Sequence, residues 1–446
     1  MKNLITTIRN IFKIEDLKAR ILNTLGFIVI YRLGAHIVLP GVDPSGLASL
    51  QAQSEGGILG LIDMFAGGAF SQASIFALGI MPYISASIVV QLLGIAVPYF
   101  QKLQKEGESG RKKLNQITRW LTVLVTLGQA PGYIVNLRSQ APAAIIMDGT
   151  MFWITSILIL TAGTLFVMWI GERITEKGIG NGISLLIMVG IIARLPSALK
   201  DEFMSRLNEG GGLVVFLVEI VALFAVVAAV ILLVQGTRRI PVQFAKKIVG
   251  NKQYGGVRQY IPLKVNAAGV MPIIFAQAIM FIPATIAQFF PESASWQGFA
   301  GAFTDFHSFG YNITFATLII LFTYFYTAIS VNPNQMAEDM KKNGGFIPGV
   351  KPGKKTAEFI DDVMSKITLP GSIFLAFVAI LPTFANLAGV NSNFAQFYGG
   401  TSLLILVGVV LDTLQQIESH LLMRHYDGLM KTGRIKGRSS AVGAAV

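Results

Sequence analysis

The residue types that most often perform catalysis or bind metals are sparse and widely separated in this chain. Its four histidines, His36, His307, His420 and His425, fall in separate parts of the sequence, and there is no cysteine. Zinc and nucleophile sites need close, fixed spacings such as His-Glu-x-x-His or Gly-x-Ser-x-Gly, and neither pattern occurs. The absence of cysteine also excludes disulfides and cysteine-ligated metals. The sequence therefore predicts no metal centre, no cofactor and no enzymatic activity.

Three further features could carry chemistry. The glycine-rich run 176–183 looks superficially like a phosphate loop, but no strand pattern precedes it and no Lys-Ser/Thr pair follows it. Glu219 and Asp412 are carboxylates inside apolar segments, whereas an ion-coupled carrier usually has a richer buried set. Arg32 also lies in an apolar segment. Facing lipid would cost it roughly 3 kcal/mol, so we expect it to face a neighbouring helix or water.

The elements that position these residues are long apolar segments. The chain has 446 residues, of which 53% are hydrophobic and 13% charged, whereas a soluble domain carries about 25% charged residues. Apolar runs of about 20 residues cross a hydrocarbon core of about 30 Å as helices. The sequence predicts ten such spans, at 21–39, 74–97, 117–137, 151–171, 180–195, 213–235, 267–288, 312–331, 368–388 and 399–422.

Basic residues are distributed asymmetrically between these spans. Of the 36 lysines and arginines, 31 lie in alternate gaps: the N-terminus, 99–119, 172–178, 236–265, 332–366 and the tail from Arg424. Positive charge concentrates on the cytoplasmic side, so both termini are expected there. The net charge of +12 fits loops that meet anionic lipid, or a docking surface for an acidic or RNA-containing partner.

Some segments between the spans have their own patterns. Residues 1–19 alternate charged and apolar positions, as in an amphipathic helix on the membrane surface. The segment 40–73 carries acidic but no basic residues, and its apolar stretch 58–65 is too short to span, so it is interfacial or re-entrant. The gap 236–265 has seven basic residues and glycines that suit a projecting hairpin. Pro196 is predicted to end the fifth span.

One internal echo suggests a repeat. Gly79-Ile-Met-Pro82 lies early in the second span and Gly269-Val-Met-Pro272 early in the seventh. Each is the second span of a five-span half, and an odd number of spans places the two halves in the membrane with opposite orientations. This arrangement is an inverted repeat, in which the pathway usually lies at the interface of the halves. A four-residue echo can also arise by coincidence.

Several ordered stretches resemble the SecY family of protein-conducting channels: 74–87, 105–111, 176–184, 262–266 and 399–405. The resemblance implies an all-α polytopic membrane protein with ten transmembrane helices, in two inverted five-helix halves that form a clamshell around a central pore. The implied division is a cytoplasmic amphipathic segment at 1–20, an N-terminal half at 21–195 with a plug at about 57–70, an external linker at 196–212, a C-terminal half at 213–423, and a cytoplasmic tail at 424–446.

The resemblance also implies site residues. The pore ring would be Ile80, Ile84, Ile183, Ile187, Ile274 and Ile405; without the family, these would be ordinary packing residues. The plug would contain Ile58, Leu59, Leu61, Ile62, Met64 and Phe65. A lateral gate between spans two and seven would contain Ser85, Gln91, Asn266 and Ile282, and Pro82, Pro272 and Pro283 are expected to disturb helix packing there.

The two long basic loops look like the family's docking site for the SecA ATPase and the ribosome, whose rRNA they would contact. The implied residues are Arg238, Arg239, Lys246, Lys247, Lys252, Arg258, Lys351, Lys354 and Lys355. The family typically has arginine where this chain has Lys351, Asn251 and Lys252, and lysine lacks the planar fork of arginine.

The resulting hypothesis is a non-enzymatic channel in the bacterial inner (plasma) membrane for unfolded preproteins, which bear signal sequences. Its other partners would be SecE-like and SecG-like subunits and anionic lipid. Two alternatives are an inverted-repeat transporter, which predicts a polar pocket with buried ion ligands, and an intramembrane enzyme, which predicts paired catalytic groups at membrane depth.

Overall fold

The first half of the chain folds into helices that follow the predicted spans. The computed structural model describes residues 14–47, 58–146, 149–209, 212–244, 247–249, 252–254, 258–288 and 308–432. Backbone groups in lipid must find partners within their own segment, so long apolar stretches become helices. The helices are α1 (Glu15–Ala35), α2 (Ile58–Phe65), α3 (Met81–Ala96), α4 (Pro98–Lys105), α5 (Glu108–Gln140), α6 (Thr150–Lys177) and α7 (Gly182–Glu209).

The second half combines helices with a small sheet. Its helices are α8 (Gly212–Gln235), α9 (Met271–Gln288), α10 (Phe309–Ser330), α11 (Pro333–Lys342), α12 (Lys354–Leu387), α13 (Ser392–Ala395) and α14 (Gly400–Thr432). Its strands are β1 (Thr237–Phe244), β2 (Lys247–Val249), β3 (Lys252–Tyr254), β4 (Arg258–Lys264) and β5 (Gly345–Phe346). Each of the ten predicted spans coincides with a helix, which supports the predicted all-helical membrane fold.

The helices differ in how strongly they qualify as membrane spans. Within the described part of the chain, six are long and apolar enough to cross a membrane, and a seventh candidate is α3 taken together with α4. These two helices bend by 96° at the break between them. The helices α1, α5 and α9 carry the remaining predicted spans; α5 includes charged residues at both ends, and α9 is short.

The two Gly-x-Met-Pro motifs, at 79–82 and 269–272, have the same backbone conformation. Gly79 and Gly269 both have a positive φ, of 54° and 64°, which glycine adopts without strain. Two residues later a helix begins, α3 at Met81 and α9 at Met271, each with proline in second position. Proline is tolerated in a first turn because its missing N–H has no helical partner there. Pro82 and Pro272 therefore do not interrupt their helices, whereas Pro283 lies inside α9. Their expected effect on packing at the gate stays a prediction.

The prediction that Pro196 ends the fifth span is wrong. Helix α7 continues through Pro196 to Glu209, so most of the predicted linker 196–212 is helical. A proline inside a helix costs about 3 kcal/mol. The residues beyond Pro196 are anchored by tertiary contacts, since Ala198 and Glu202 are buried and Glu202 accepts the Asn391 backbone N–H from another element.

Two other boundaries differ from the sequence prediction. The segment 74–80 forms turns rather than the start of the second span, and α3 begins only at Met81. The amphipathic segment 1–20 lies mainly outside the described residues; from Glu15 onward the chain is already in α1, which continues into the first span.

The two basic loops form one folded unit. Strands β1 and β4 pair antiparallel, with Ile240 opposite Ile261, which confirms the predicted hairpin. Strand β5, from the second loop, pairs with the other edge of β1. Apolar side chains from both loops and from α12 form a small core: Ile240, Val242, Leu263, Met340, Ile347, Ile360 and Met364. We call the membrane side that carries this unit the basic face.

Candidate pore, plug and gate

The six isoleucines of the predicted ring come together in one apolar cluster. They belong to α3 and the turn before it, to α7, α9 and α14, and therefore to both halves. Ile80, Ile187 and Ile405 are buried, with 4%, 2% and 2% of their surface exposed. Ile84, Ile183 and Ile274 are partly buried and pack against the same cluster. Isoleucines from both halves thus belong to one extended apolar core, and their arrangement as a ring stays a prediction.

A cavity reaches this isoleucine cluster from the basic face. It has a volume of about 470 Å³, and Ile187, Ile274 and Ile405 line its apolar end. Its remaining wall includes the charged and polar residues Lys264, Asn266, Tyr326, Asp412 and Thr413. The cavity is therefore polar over much of its wall and apolar where it meets the isoleucines.

A second cavity lies on the opposite side of the membrane domain. It has a volume of about 430 Å³ and is lined by Met64 of α2, by Gly67 and Gly68 in the turn after α2, and by Arg32 and Arg194. The isoleucine cluster and α2 thus lie between two cavities that belong to opposite faces.

Helix α2 packs inside the protein, as expected for a re-entrant segment. Met64 and Phe65 are buried within the same core as the isoleucines. The Ser402 hydroxyl donates a hydrogen bond to the Met64 sulfur at 3.2 Å, which ties α2 to α14. The side chains of Ile58, Leu59, Leu61 and Ile62 lie outside the described part of the structure, so their predicted role as plug residues stays a prediction.

The turn that follows α2 is held by tight backbone contacts. Gly67 and Gly68 have positive φ values of 66° and 91°. A side chain at Gly67 would lie 2.9 Å from the Gly190 Cα atom and 2.7 Å from Arg32 Nη1, so only glycine fits. Arg32 Nη1 donates to the Gly67 carbonyl at 2.8 Å. Arg32 therefore faces a protein partner, as its position in an apolar segment predicted.

A buried ion pair links α2 to α7. The Asp63 side chain is fully buried; its carboxylate accepts a hydrogen bond from the Ser71 backbone N–H at 2.8 Å and pairs with Arg194. The Arg194 guanidinium also donates to the Ser71 hydroxyl at 3.3 Å. The sequence analysis did not identify this pair. The sequence did contain a signal for this pair, namely an arginine outside the basic gaps and an acidic residue within an apolar stretch.

Among the described residues, no hydrogen bond given for Ser85, Gln91 or Asn266 joins one predicted gate residue to another. Ser85 donates to its own helix at the Met81 carbonyl, and Gln91 donates to Ser87. Asn266 Nδ2 donates to the Gly269 carbonyl at 3.1 Å, while its buried Oδ1 accepts no hydrogen bond from the residues that the structure describes. The side chain of Ile282 lies outside the described residues.

The contact between α3 and the second half is apolar instead. Ile88 is buried among residues of α8, α9, α10, α12 and α14, and Ile84 and Leu92 pack against the same cluster. These three residues are spaced four apart, so they lie on one face of α3. The sequence analysis named only Ile84, although this spacing was visible in the sequence.

The predicted docking residues lie on the folded unit of the basic face. Arg238 and Arg239 are exposed on β1, and Lys351, Lys354 and Lys355 are exposed at or near the start of α12. Lys355 pairs with Glu358 at 3.0 Å. The strands β2, β3 and β4 carry Lys247, Lys252 and Arg258, whose side chains, like all of Lys246, lie outside the described part. Because β1 pairs with β5, the strands of the two loops belong to one sheet.

Comparison with known proteins identifies relatives over nearly the full chain. A family model described as SecY matches residues 74–414. The chain is 45% identical over 440 residues to the protein translocase subunit SecY of Streptomyces scabiei, a match that covers 96% of this chain and 100% of the relative. A solved SecY translocation channel, studied for its plug domain, superposes with a TM-score of 0.61 at 19% identity, over 90% of this chain and 92% of that one. Sec61 from a canine ribosome–channel complex of the endoplasmic reticulum superposes with a TM-score of 0.61 at 18% identity, again over 90% of this chain and 92% of that one.

Proposed function

Because this chain belongs to the SecY family, we propose that it is the pore-forming subunit of a protein translocation channel. In this role it passes unfolded secretory proteins across the membrane and releases membrane segments laterally into lipid. The observation that carries the proposal is the cluster of six isoleucines from both halves, which lies between a cavity on the basic face and one on the opposite face.

The isoleucine cluster suits a seal that opens around a chain. Branched apolar side chains offer no ligand to a hydrated ion, and a narrow apolar constriction tends to lose its water, so ions are retained. The same side chains have no fixed polar partners that an incoming polypeptide must replace. An extended chain can therefore push them apart while they close around it.

Helix α2 acts as the plug on the far side of this seal. Its buried Met64 and Phe65 pack onto the isoleucine core, while Asp63 pairs with Arg194. Separating this pair would leave a charge in an apolar surrounding, which is strongly unfavourable. The pair therefore holds the plug in place until a translocating chain displaces it.

The seam between α3 and α9 acts as the lateral gate. Its apolar contacts centre on Ile88, and lipid tails can replace such contacts when the helices part. An apolar segment of a client inside the channel would then move into lipid, driven by about 25 cal/mol per Å² of apolar surface removed from water. Ser85, Gln91, Asn266 and Ile282 line the seam in this proposal.

The chain itself is passive, and its driving force comes from partners. The exposed Arg238, Arg239, Lys351, Lys354 and Lys355 are proposed to dock the SecA ATPase or a translating ribosome, since basic surfaces attract acidic proteins and RNA phosphates. The solved Sec61 neighbour comes from a ribosome–channel complex, which supports such an assembly. SecE-like and SecG-like subunits would complete the channel.

The orientation follows from charge. The basic face is proposed to be cytoplasmic in the bacterial inner membrane, with both termini on that side, because positive loops stay with the negatively charged leaflet. Anionic lipid would then contact the loops of this face.

The test is reconstitution of the chain with SecE- and SecG-like subunits in liposomes, with SecA, ATP and a radiolabelled preprotein. We expect preprotein that is protected from protease only when ATP is present. Omission of ATP and liposomes without the chain serve as controls. Absence of protection, with partners that work on a known channel, would contradict the proposal and direct attention to solute uptake, as expected for a transporter.

A further inference from the structure

A cluster of three charges lies away from the isoleucines, at the end of α7 that is remote from the basic face. Arg206 donates through Nε to Glu202 at 2.9 Å and through Nη2 to Glu219 at 2.5 Å. Glu202 is fully buried, and Glu219 is 7% exposed. Glu202 and Arg206 belong to α7 and Glu219 to α8, so the charge cluster joins the two halves of the chain.

Such a cluster is an expensive way to join two helices. Each charge loses its hydration on burial, and a well-packed apolar trio is often at least as stable. Glu219 also keeps one carboxylate oxygen, Oε2, buried without a partner among the described residues. The cluster is therefore better explained by the fixed positions that it gives to the groups bonded to it than by a gain in stability.

The hydrogen bonds that the charge cluster makes outside itself converge on one segment of the second half, the residues between α12 and α14. Arg206 Nη2 donates to the Gly389 carbonyl at 2.6 Å. Glu202 Oε2 accepts the Asn391 backbone N–H at 2.8 Å. The Tyr398 hydroxyl donates to the backbone carbonyl of Glu219, not to its carboxylate, at 2.6 Å. Both ends of the segment 389–398 are thus bound to α7 or α8.

This segment leads directly into the part of the chain that closes the pore. Helix α14 begins at Gly400, Ser402 contacts the Met64 sulfur of the plug, and Ile405 lies in the isoleucine cluster. The rise of a helix is about 1.5 Å per residue, so Gly400 and Ile405 are separated by only about 7.5 Å along the axis. Tyr398 stands only two residues before the start of α14, so the place of the segment 389–398 determines where α14 begins.

We propose that Arg206, held between Glu202 and Glu219, is a positioning residue for the seal: it fixes the segment 389–398 and thereby the place of Ser402 and Ile405 against the plug and the ring. The inference rests on the proposed function, since it needs the isoleucines to be the seal. Arg206 does not touch the translocating chain; it acts through α14.

The test compares the resting ion conductance of reconstituted channels that carry single substitutions. Arg206→Met removes the charge and keeps an unbranched side chain, whereas Arg206→Lys keeps the charge and loses the fork that bridges two carboxylates. We expect Arg206→Met to raise the resting conductance at least about fivefold, the lower end of typical coupling between linked sites. The conductance of Arg206→Lys should lie between those of Arg206→Met and of the unsubstituted protein.

A matched control is available in the first half. Arg119 makes a bidentate pair with Glu172, at 3.0 and 2.6 Å, between α5 and α6 and remote in sequence from the segment 389–398. Arg119→Met removes an interhelical ion pair that is more exposed, with 49% of the Arg119 side chain accessible against 16% for Arg206, and should leave the resting conductance unchanged. An equal leak in both variants would mean that loss of any interhelical ion pair loosens the channel, which would overturn the inference.

The remaining outcomes separate this inference from the proposed function. Replacing both Ile84 and Ile187 with serine tests the seal itself. A leak in that variant together with normal conductance of Arg206→Met would overturn the positioning role alone, whereas no leak in the serine variant would overturn the seal. If Arg206→Met fails to assemble, Tyr398→Phe removes only one hydrogen bond of the same network, and unchanged conductance there would count against the inference.

Discussion

Two of the places where the halves of the chain meet are built from opposite chemistry. On one side, α3 contacts the second half through Ile84, Ile88 and Leu92. Among the residues that the structure describes, no hydrogen bond joins α3 to α9. On the other side, α7 is joined to α8 and to the segment 389–398 by charged groups and hydrogen bonds.

This difference indicates at which of the two contacts the halves of the chain can separate. In a membrane, lipid tails replace apolar contacts between helices at little cost, so an apolar seam separates readily. Buried charges that lose their partners have no such replacement, and removing one partner of a buried pair costs about 3–5 kcal/mol. The halves should therefore separate at the α3 seam and remain together at the Arg206 cluster.

The strongest test of this comparison uses covalent links on both sides. The chain has no cysteine, so introduced cysteines have no background. A short bifunctional cross-linker between Ser85→Cys and Ile282→Cys should abolish preprotein export, because the seam can no longer part. The same linker between Phe203→Cys and Phe216→Cys, whose rings lie 5.3 Å apart between α7 and α8, should leave export intact. Normal export with the first link fully formed would refute the gate assignment.

The next prediction concerns the seal between the two sides. The double variant Ile84→Ser, Ile187→Ser should raise the resting ion conductance by about tenfold or more, because hydroxyl groups hydrate a constriction that apolar side chains keep dry. Ile192→Ser, on the same helix but with an exposed side chain, is the control and should not leak. Equal conductance of the double variant and the unsubstituted channel would mean that these isoleucines are ordinary packing residues.

The parts of this architecture that were predictable from sequence depend on local signals. Apolar length, the alternation of basic gaps and the glycines of the hairpin each act within about 30 residues, and the corresponding helices and the β1–β4 pairing followed them. The grouping of Ile80 with Ile405 joins residues more than 300 positions apart, and only the family resemblance suggested it.

The two ion-pair networks were missed for a physical reason. Asp63 pairs with Arg194 and Glu219 with Arg206, and nothing in a single sequence specifies which distant charges meet. A signal did exist, since Arg194 and Arg206 are among the few basic residues outside the basic gaps. The error at Pro196 has the same origin: tertiary contacts of Glu202 keep α7 helical where local propensity favours an end.

A smaller effect is expected from weakening the seam at a single position. Ile88→Ala removes buried apolar contact from α3. Because lipid can fill part of the gap, we expect the free energy that holds the seam closed to fall by about 1 kcal/mol, which shifts the closed-to-open equilibrium about fivefold. The measurement is export of a preprotein with a defective signal sequence, which should rise by about that factor. Val89→Ala, next to it but 42% exposed, is the control. A decrease in export, or an equal rise in both variants, would contradict an apolar seam that holds the gate shut.

The smallest predicted effect concerns the basic face, where neither half needs to move. Lys351 is exposed and stands where relatives of the family are expected to carry arginine. Arginine binds carboxylate or phosphate through two parallel hydrogen bonds, whereas lysine acts as a point charge. Lys351→Arg should therefore tighten binding of SecA or ribosomes to the reconstituted channel by about two- to threefold, within the range of an exposed ion pair.

The control for this last variant is Lys366→Arg, farther along α12, where the exposed lysine already pairs with Asp362 at 2.7 Å. That substitution keeps the same net charge and should not change the binding affinity. An equal gain in both variants would indicate a general preference for arginine on the surface. No gain at Lys351 would mean that this position does not contact the partner, and the docking surface would then shift towards Arg238 and Arg239 on β1. In either case the export rate at saturating partner should stay unchanged, because docking and the opening of the seam are separate steps on separate parts of the molecule.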